Sequence, residues 1–147
     1  MKAFNKSKIS IVDDDVFSLT LIKEMLGTIH FKNVFTYSNS TDFLNSMISQ
    51  PDIVFLDYHI DNLTGLEILK KIKRTNPEAF IVIISGQEDI SVAVTALKYG
   101  AFDYLVKNGF TAEDLGIVML KMENLKKLIH EKNNKSLIKK LKSSLNR

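Results

Sequence analysis

Short apolar runs alternate with helical patterns along most of this chain. Five runs have the composition of strands: residues 9–12, 34–37, 53–56, 80–84 and 102–106. After each run, apolar residues recur three or four apart, as on one face of an α-helix. Strict alternation predicts an α/β fold with a five-stranded parallel sheet, helices on both faces and right-handed crossovers.

The helical patterns also predict inward faces and helix ends. The first helix should bury Phe17, Leu21, Ile22, Met25, Leu26 and Ile29, and the second Phe43, Leu44, Met47 and Ile48. Ser40 and Thr111 are predicted N-caps, and Gly100 is a predicted C-cap. The last helix should pack on the sheet with its first half. After Asn133 and Asn134, leucines recur every four residues, so the helix extends, a second helix begins, or the chain frays.

Polar residues stand where four of the strands end. They are Asp13 and Asp14 after the first run, Asp57 after the third, Ser85 after the fourth and Lys107 after the fifth. Ligands of open parallel sheets bind at the carboxyl ends of the strands, so these side chains should meet at one edge.

The three carboxylates predict a magnesium site. Their mutual repulsion disfavours full ionisation unless a cation is present. Mg²⁺ prefers hard oxygen ligands and keeps several waters. The predicted protein ligands are Asp13, Asp14, Asp57 and the backbone carbonyl of His59.

The same edge suits a phosphoryl group. The Asp57 carboxylate is a competent nucleophile toward phosphorus and would give an acyl phosphate. Lys107 supplies a positive charge and Ser85 a hydrogen-bond donor for the phosphoryl oxygens. Tyr104 precedes Lys107 by three residues on the same strand and is placed to respond to the state of the site.

Each of these residues has a simpler explanation when it is taken alone. An acidic pair at a strand end often caps the next helix, as we expect of Asp15, and Ser85 before Gly86 fits a plain turn. The phosphoryl site is favoured because all of these residues occur together, at the ends of four separate strands.

Composition narrows the function classes. The 147 residues are 45% hydrophobic and 25% charged, which is typical of one globular domain. The absence of cysteine excludes disulfides, thiolate zinc sites and a cysteine nucleophile, and fits a cytoplasmic location. No apolar stretch is long enough to span a membrane.

The net charge of +3 is unevenly distributed along the chain. Residues 1–118 carry 11 Lys/Arg and 15 Asp/Glu, a net of −4, whereas residues 119–147 carry 9 and 2, a net of +7. A solvated lysine-rich helix face is the favoured reading of this basic tail. Contact with nucleic acid or an acidic partner is the alternative.

Over residues 7 to about 130, the chain resembles the receiver domain of two-component response regulators. The matching stretches are residues 11–15 (IVDDD), 54–57 (VFLD), 65–69 (GLEIL), 83–86 (IISG) and 100–107 (GAFDYLVK). The resemblance implies a flavodoxin-like sheet of order 2-1-3-4-5, phosphorylation of Asp57 by a sensor histidine kinase, and Ser85 with Tyr104 as the switch pair. It also implies that His59 and Gln87 tune the loss of the phosphoryl group.

Two positions depart from the family pattern. Asn108 stands where the family usually has a proline after a cis peptide, and a cis bond without proline costs about 3 kcal/mol, so we expect Lys107–Asn108 to be trans. Asp61 replaces a second frequent proline, so we expect residues 59–64 to form a more mobile, more acidic loop.

We therefore expect residues 1–130 to form a receiver domain and residues 131–147 a basic C-terminal helical extension or linker. The expected function is a phosphoacceptor switch whose only chemistry is its own phosphorylation and dephosphorylation. Its expected partners are a sensor histidine kinase, an output domain or partner protein, and a second copy in a homodimer, with no membrane. A stand-alone regulator and a piece of a larger one both remain open. The alternatives are a DNA-contacting regulator and a magnesium-dependent phosphohydrolase.

Overall fold

A computed structural model describes residues 4–86 and 90–146. Its main sheet contains β1 (Ile9–Val12), β2 (Val34–Tyr37), β3 (Ile53–Asp57), β4 (Phe80–Ser85) and β5 (Asp103–Val106). All neighbouring strands are parallel, in the order β2-β1-β3-β4-β5. The predicted fold class and the 2-1-3-4-5 order are confirmed.

The helices are α1 (Val16–Thr28), α2 (Ser40–Asn45), α3 (Gly65–Thr75), α4 (Ile90–Lys98) and α5 (Ala112–Leu145). A 3₁₀ turn at Ser46–Ser49 follows α2. Between β3 and α3, His59–Ile60 pairs with Leu63–Thr64 as a short antiparallel hairpin.

The sheet separates two hydrophobic layers because alternate side chains of a strand point to opposite faces. Ile9 and Ile11 of β1 pack in the layer that contains residues of α1 and α5. Val12 packs in the layer that contains residues of α2, α3 and α4. Strands β3 and β4 are buried almost throughout, as their continuous apolar runs predict.

The predicted inward face of α1 is partly wrong. Phe17 is 73% exposed and Leu21 38% exposed, whereas Ser18 and Leu19 are buried. Asp15 caps the helix, accepting hydrogen bonds from the Phe17 backbone N–H and from the Ser18 hydroxyl. That second bond satisfies the serine hydroxyl, so Ser18 can be buried in place of a larger apolar residue.

Two predictions for α2 also need correction. The N-cap is Asn39, whose side chain accepts a hydrogen bond from the Asp42 backbone N–H, and Ser40 is the first helical residue. Ile48 is 95% exposed because α2 ends at Asn45 and the 3₁₀ turn breaks the 3.6-residue periodicity.

Helix α5 is continuous from Ala112 to Leu145, 34 residues, so the helix extends through Asn133 and Asn134. Thr111 is its N-cap, as predicted, in a capping box with Asp114. Leu115, Val118 and Met122 are buried against the sheet, but every residue from Asn124 to Asn146 is exposed.

Gly100, the predicted C-cap of α4, has a φ of 102°. Within the described ranges, no helix meets the length and apolarity that a membrane span requires.

Candidate functional site

The strand register aligns the carboxyl ends at one edge of the sheet. Val12 pairs with Leu56, Asp57 with Ile84, and Ser85 with Val106. Asp13, which follows β1, is therefore level with Asp57. Ser85 lies one residue farther along its strand, and Lys107, which follows β5, lies one residue beyond Ser85. The predicted meeting of Asp13, Asp14, Asp57, Ser85 and Lys107 has this structural basis.

Lys107 forms ion pairs with two of the carboxylates. Its Nζ lies 2.8 Å from Asp13 Oδ2 and 3.6 Å from Asp57 Oδ2. The Asp13 and Asp57 side chains are only 2% and 8% exposed, whereas that of Lys107 is 25% exposed. The other oxygen of Asp13 accepts a hydrogen bond of 2.8 Å from the backbone N–H of Asp15. Asp13 is thus held by bonds from two sides.

Asp14 completes an acidic cluster with Asp13 and Asp57. One carboxylate oxygen from each lies within 4.8 Å of the others, and Asp14 is the exposed member. Hard oxygen donors that converge so closely, with one side open to water, fit Mg²⁺, which keeps part of its hydration shell. The three carboxylates therefore have the chemistry of a magnesium site, the metal that the sequence predicts.

The environment of Asp57 favours its protonated form. Burial, followed by the nearby charge of Asp13, raises the pKa of Asp57 to about 6, although Lys107 and the His59 backbone N–H oppose the rise. Burial alone would lower the pKa of Lys107, but its hydrogen bond to Asp13 and the charge of Asp57 outweigh that effect and raise the pKa. Lys107 is therefore cationic at neutral pH.

The start of α3 packs against the backbone of the acceptor strand. A Cβ at Gly65 would lie 2.7 Å from the Asp57 carbonyl oxygen and 2.8 Å from Tyr58 Cα. The Gly65 N–H also donates a hydrogen bond to the Tyr58 carbonyl. Only glycine allows this approach. The sequence interpretation did not identify Gly65 as a constraint, although a glycine at the first position of an amphipathic helix was a usable signal.

Ser85 and Tyr104 lie on neighbouring strands. Ser85 is fully buried, and its carbonyl accepts a hydrogen bond of 2.8 Å from the Lys107 N–H. Tyr104 pairs with Ile83, which precedes Ser85 by two residues on β4. The half-buried Tyr104 ring packs on the layer that contains α3 and α4. Ser85 and Tyr104 thus lie on neighbouring strands, two residues apart in register, and their role as a switch pair stays a prediction.

His59 is exposed at the mouth of the site. Its ring meets the Tyr58 ring edge-on, with centroids 4.9 Å apart. Gln87, the other predicted tuning residue, lies outside the described residues.

Both departures from the family pattern have a structural counterpart. No cis peptide bond occurs in the described part of the chain, so Lys107–Asn108 is trans as predicted. Asp61 has a φ of 51°, a left-handed conformation that proline cannot adopt, and its Oδ2 accepts a hydrogen bond of 2.7 Å from the Ser40 N–H. The hairpin pairing and this bond give residues 59–64 a regular conformation, and the greater mobility expected of this loop stays a prediction.

Comparison with known proteins agrees with this geometry. The family model described as the response regulator receiver domain matches residues 9–119. The transcriptional regulatory protein ZraR of Salmonella typhimurium is 33% identical over 102 residues, 69% of this chain and 23% of that protein. The DNA-binding transcriptional regulator NtrC of Escherichia coli K12 is 32% identical over 98 residues, 66% of this chain and 21% of that protein. The chain thus matches less than a quarter of the length of either relative.

A solved structure gives the same answer for the fold. The response regulator receiver domain protein from Clostridium thermocellum aligns with a TM-score of 0.75 and 36% identity, over 84% of this chain and 98% of that one. Receiver domains are signalling modules that typically bind Mg²⁺ at an acidic pocket and work with sensor kinases and output domains. With the family model covering residues 9–119, this chain belongs to the response regulator receiver domain family.

Proposed function

We propose that this chain is a phosphoacceptor switch in which Asp57 accepts a phosphoryl group from a sensor histidine kinase. Mg²⁺ would be held by Asp13, Asp14, Asp57 and the backbone carbonyl of His59. The observation that carries the proposal is the convergence of three carboxylates and the Lys107 ammonium at one edge of the sheet.

In the transfer, one Asp57 carboxylate oxygen attacks phosphorus while the bond from phosphorus to the donor nitrogen breaks. Such reactions depend on positioning and charge stabilisation more than on further covalent chemistry. Mg²⁺, when bound, supplies neutralisation of the phosphoryl oxygens. Lys107 remains protonated, and its Nζ, which lies 3.6 Å from Asp57 Oδ2, would contact an oxygen of a phosphoryl group carried by Asp57. The buried Ser85 hydroxyl donates to another.

The signal leaves the site through Ser85 and Tyr104. A ligand shifts a conformational equilibrium only by its differential affinity for the two states, and bonds from Ser85 and Lys107 to the phosphoryl group exist in one state alone. Movement of Ser85 toward that group makes room for the half-buried Tyr104 ring to turn inward. The surface of α4, β5 and α5, with Ile90, Val94 and Leu97 exposed, changes as a result.

Acetyl phosphate with Mg²⁺ tests this function directly. We expect one phosphoryl group per chain, located on Asp57 by peptide mass spectrometry, and none in Asp57→Asn. Glu78→Gln, at an exposed position outside the site, is the matched control and should be phosphorylated like the wild type. Phosphorylation of another residue, or of Asp57→Asn, would refute the proposal. Size measurement on the same samples tests whether phosphorylation promotes a homodimer.

His59 is proposed to tune the lifetime of the phosphoaspartate without being needed to form it. The exposed ring lies two residues after Asp57, where it affects the access of water. His59→Ala should therefore alter the dephosphorylation rate and still reach full phosphorylation. Failure of His59→Ala to accept a phosphoryl group would contradict this role.

The output is proposed to lie beyond the receiver. Residues 1–130 would be the receiver domain and 131–147 a basic helical extension or linker to an output domain or partner, in a cytoplasmic protein. Since two relatives are named as transcriptional regulators, one of them DNA-binding, direct contact of the basic tail with DNA is a second candidate. DNA binding that falls steeply with salt supports it, and no binding at low salt rejects it.

Enzymatic turnover is not part of the proposal. The chain would catalyse only its own phosphorylation and dephosphorylation. His59 stands two residues after Asp57, where a phosphohydrolase would need a second carboxylate as general acid. Multiple turnover on a phosphomonoester would overturn this conclusion.

A further inference from the structure

We propose that Asn108–Gly109 is a spontaneous deamidation site whose product places a carboxylate beside Lys107 and slows phosphoryl transfer to Asp57. The backbone nitrogen of Gly109 attacks the side-chain carbonyl carbon of Asn108. A new C–N bond closes a five-membered succinimide, the bond to the side-chain nitrogen breaks, and ammonia leaves with the proton of the backbone amide. Water then opens the ring at either carbonyl, giving aspartate or isoaspartate.

The sequence singles out this position. Asn108–Gly109 is the only Asn-Gly pair among the 147 residues. A following glycine speeds the cyclisation because it has no side chain to hinder the approach of its nitrogen and because its backbone reaches conformations closed to other residues.

The structure exposes both residues of the pair. Both residues are exposed in the turn after β5, outside any helix or strand. Gly109 has a φ of 112°, and a Cβ built there would meet no atom within 4 Å. The hydrogen bonds found across residues 4–86 and 90–146 include none from the Gly109 N–H or the Asn108 side chain. The amide nitrogen is therefore open to react.

Asn62 is a matched comparison within the chain. It is also exposed, in the turn of the hairpin, but Leu63 follows it and brings a branched side chain beside the attacking nitrogen. Asn133 and Asn134 lie within α5, where the backbone N–H groups are bonded in the helix. Exposure alone therefore does not distinguish Asn108, whereas exposure with a following glycine does.

The consequence for the site follows from the position of Lys107 and rests on the proposed function. The Lys107 N–H is bonded to the Ser85 carbonyl, and its Nζ lies 2.8 Å from Asp13. A carboxylate on the next residue adds negative charge to a site that already holds three acids and must receive an anionic phosphoryl donor. Isoaspartate also lengthens the backbone by one carbon just after Lys107.

The test measures the modification and its effect separately. Wild-type protein is aged in mildly alkaline buffer, and peptide mass spectrometry follows Asn108 and Asn62 in the same sample. We expect Asn108 to convert at least about tenfold faster, the glycine being unhindered. Equal deamidation rates at Asn108 and Asn62, or an Asn108 that stays intact, would overturn the proposal of a deamidation site.

The effect is measured by phosphorylating Asn108→Asp, which mimics one product, beside the neutral Asn108→Gln. Asn108→Asp should accept a phosphoryl group from acetyl phosphate about two- to fivefold more slowly, as for a partly screened extra charge. Equal rates would overturn the predicted effect. If Asn108 deamidates but no variant is phosphorylated on Asp57, the modification site stands and the proposed function fails.

Discussion

The Lys107 ammonium lies 2.8 Å from a carboxylate oxygen of Asp13, closer than its 3.6 Å separation from Asp57. The lysine thus pairs with a carboxylate that belongs to the proposed Mg²⁺ site. We therefore expect metal binding and the position of Lys107 to be coupled.

Removing this ammonium should strengthen metal binding. We expect Lys107→Gln to bind Mg²⁺ about tenfold more tightly, a gain of about 1.4 kcal/mol, because it frees the Asp13 oxygen and removes a neighbouring positive charge. Isothermal titration calorimetry at fixed ionic strength measures the change. Lys71→Gln removes an exposed lysine from α3 and should leave the affinity unchanged. Weaker binding by Lys107→Gln would show that the lysine organises the site instead of competing for it.

The pKa of Asp57 predicts how stability varies with pH in metal-free protein. The folded state raises this pKa from 3.8 to about 6, so it holds the proton more tightly than the unfolded state. The free energy of unfolding should therefore fall as pH rises between these two values and stay reduced above about pH 6.

Asp57→Asn removes this penalty. Allowing for solvent screening, it should raise the free energy of unfolding by about 2 kcal/mol near neutral pH, and by little at pH values below the unfolded pKa. Urea titrations with a chelator present measure both limits. Glu78→Gln should not reproduce the pattern. Added Mg²⁺ should narrow the difference between wild type and Asp57→Asn.

Two glycine substitutions should have opposite effects. Gly65→Ala places a methyl group 2.7 Å from the Asp57 carbonyl, so we expect a loss of about 3 kcal/mol and slower phosphorylation. Gly27→Ala, within α1, meets nothing within 4 Å and should stabilise by about 0.5–1 kcal/mol. Thermal unfolding measures both. A neutral Gly65→Ala would mean that α3 can retreat from the acceptor strand at no cost.

Restoring the frequent family proline at position 61 should be harmful here. Proline cannot take the φ of 51° that Asp61 adopts, and it removes the acceptor for the Ser40 N–H. We expect Asp61→Pro to lose about 3 kcal/mol and Asp61→Asn less than about 1 kcal/mol, since asparagine tolerates this conformation and keeps an acceptor. Chemical denaturation ranks the two variants. Equal stability would mean that the hairpin rearranges freely.

The sheet and the site could be predicted because both depend on local patterns. Apolar runs specify strands, and the alternation with helices places their carboxyl ends together, so Asp13, Asp57 and Lys107 could be assigned to one edge. The buried face of α1 could not be predicted in the same way. Burial of Ser18 depends on its hydrogen bond to Asp15, and the spacing of apolar residues carries no information about that bond. The Asp61–Ser40 bond joins residues 21 apart, and no local pattern encodes such a contact.

Helix α5 gives this small domain a long reach. At about 1.5 Å per residue its 34 residues extend about 50 Å, and its buried residues end at Glu123. Because α5 is packed at its N-terminal end only, a small rotation there displaces its C-terminal end by a larger distance. If the α4–β5–α5 surface tilts α5 by about 10°, the exposed end, roughly 30 Å farther out, moves by about 5 Å. That displacement is about the distance between two neighbouring strands, so a small rotation at the base of α5 would become large enough to break contacts at its exposed end.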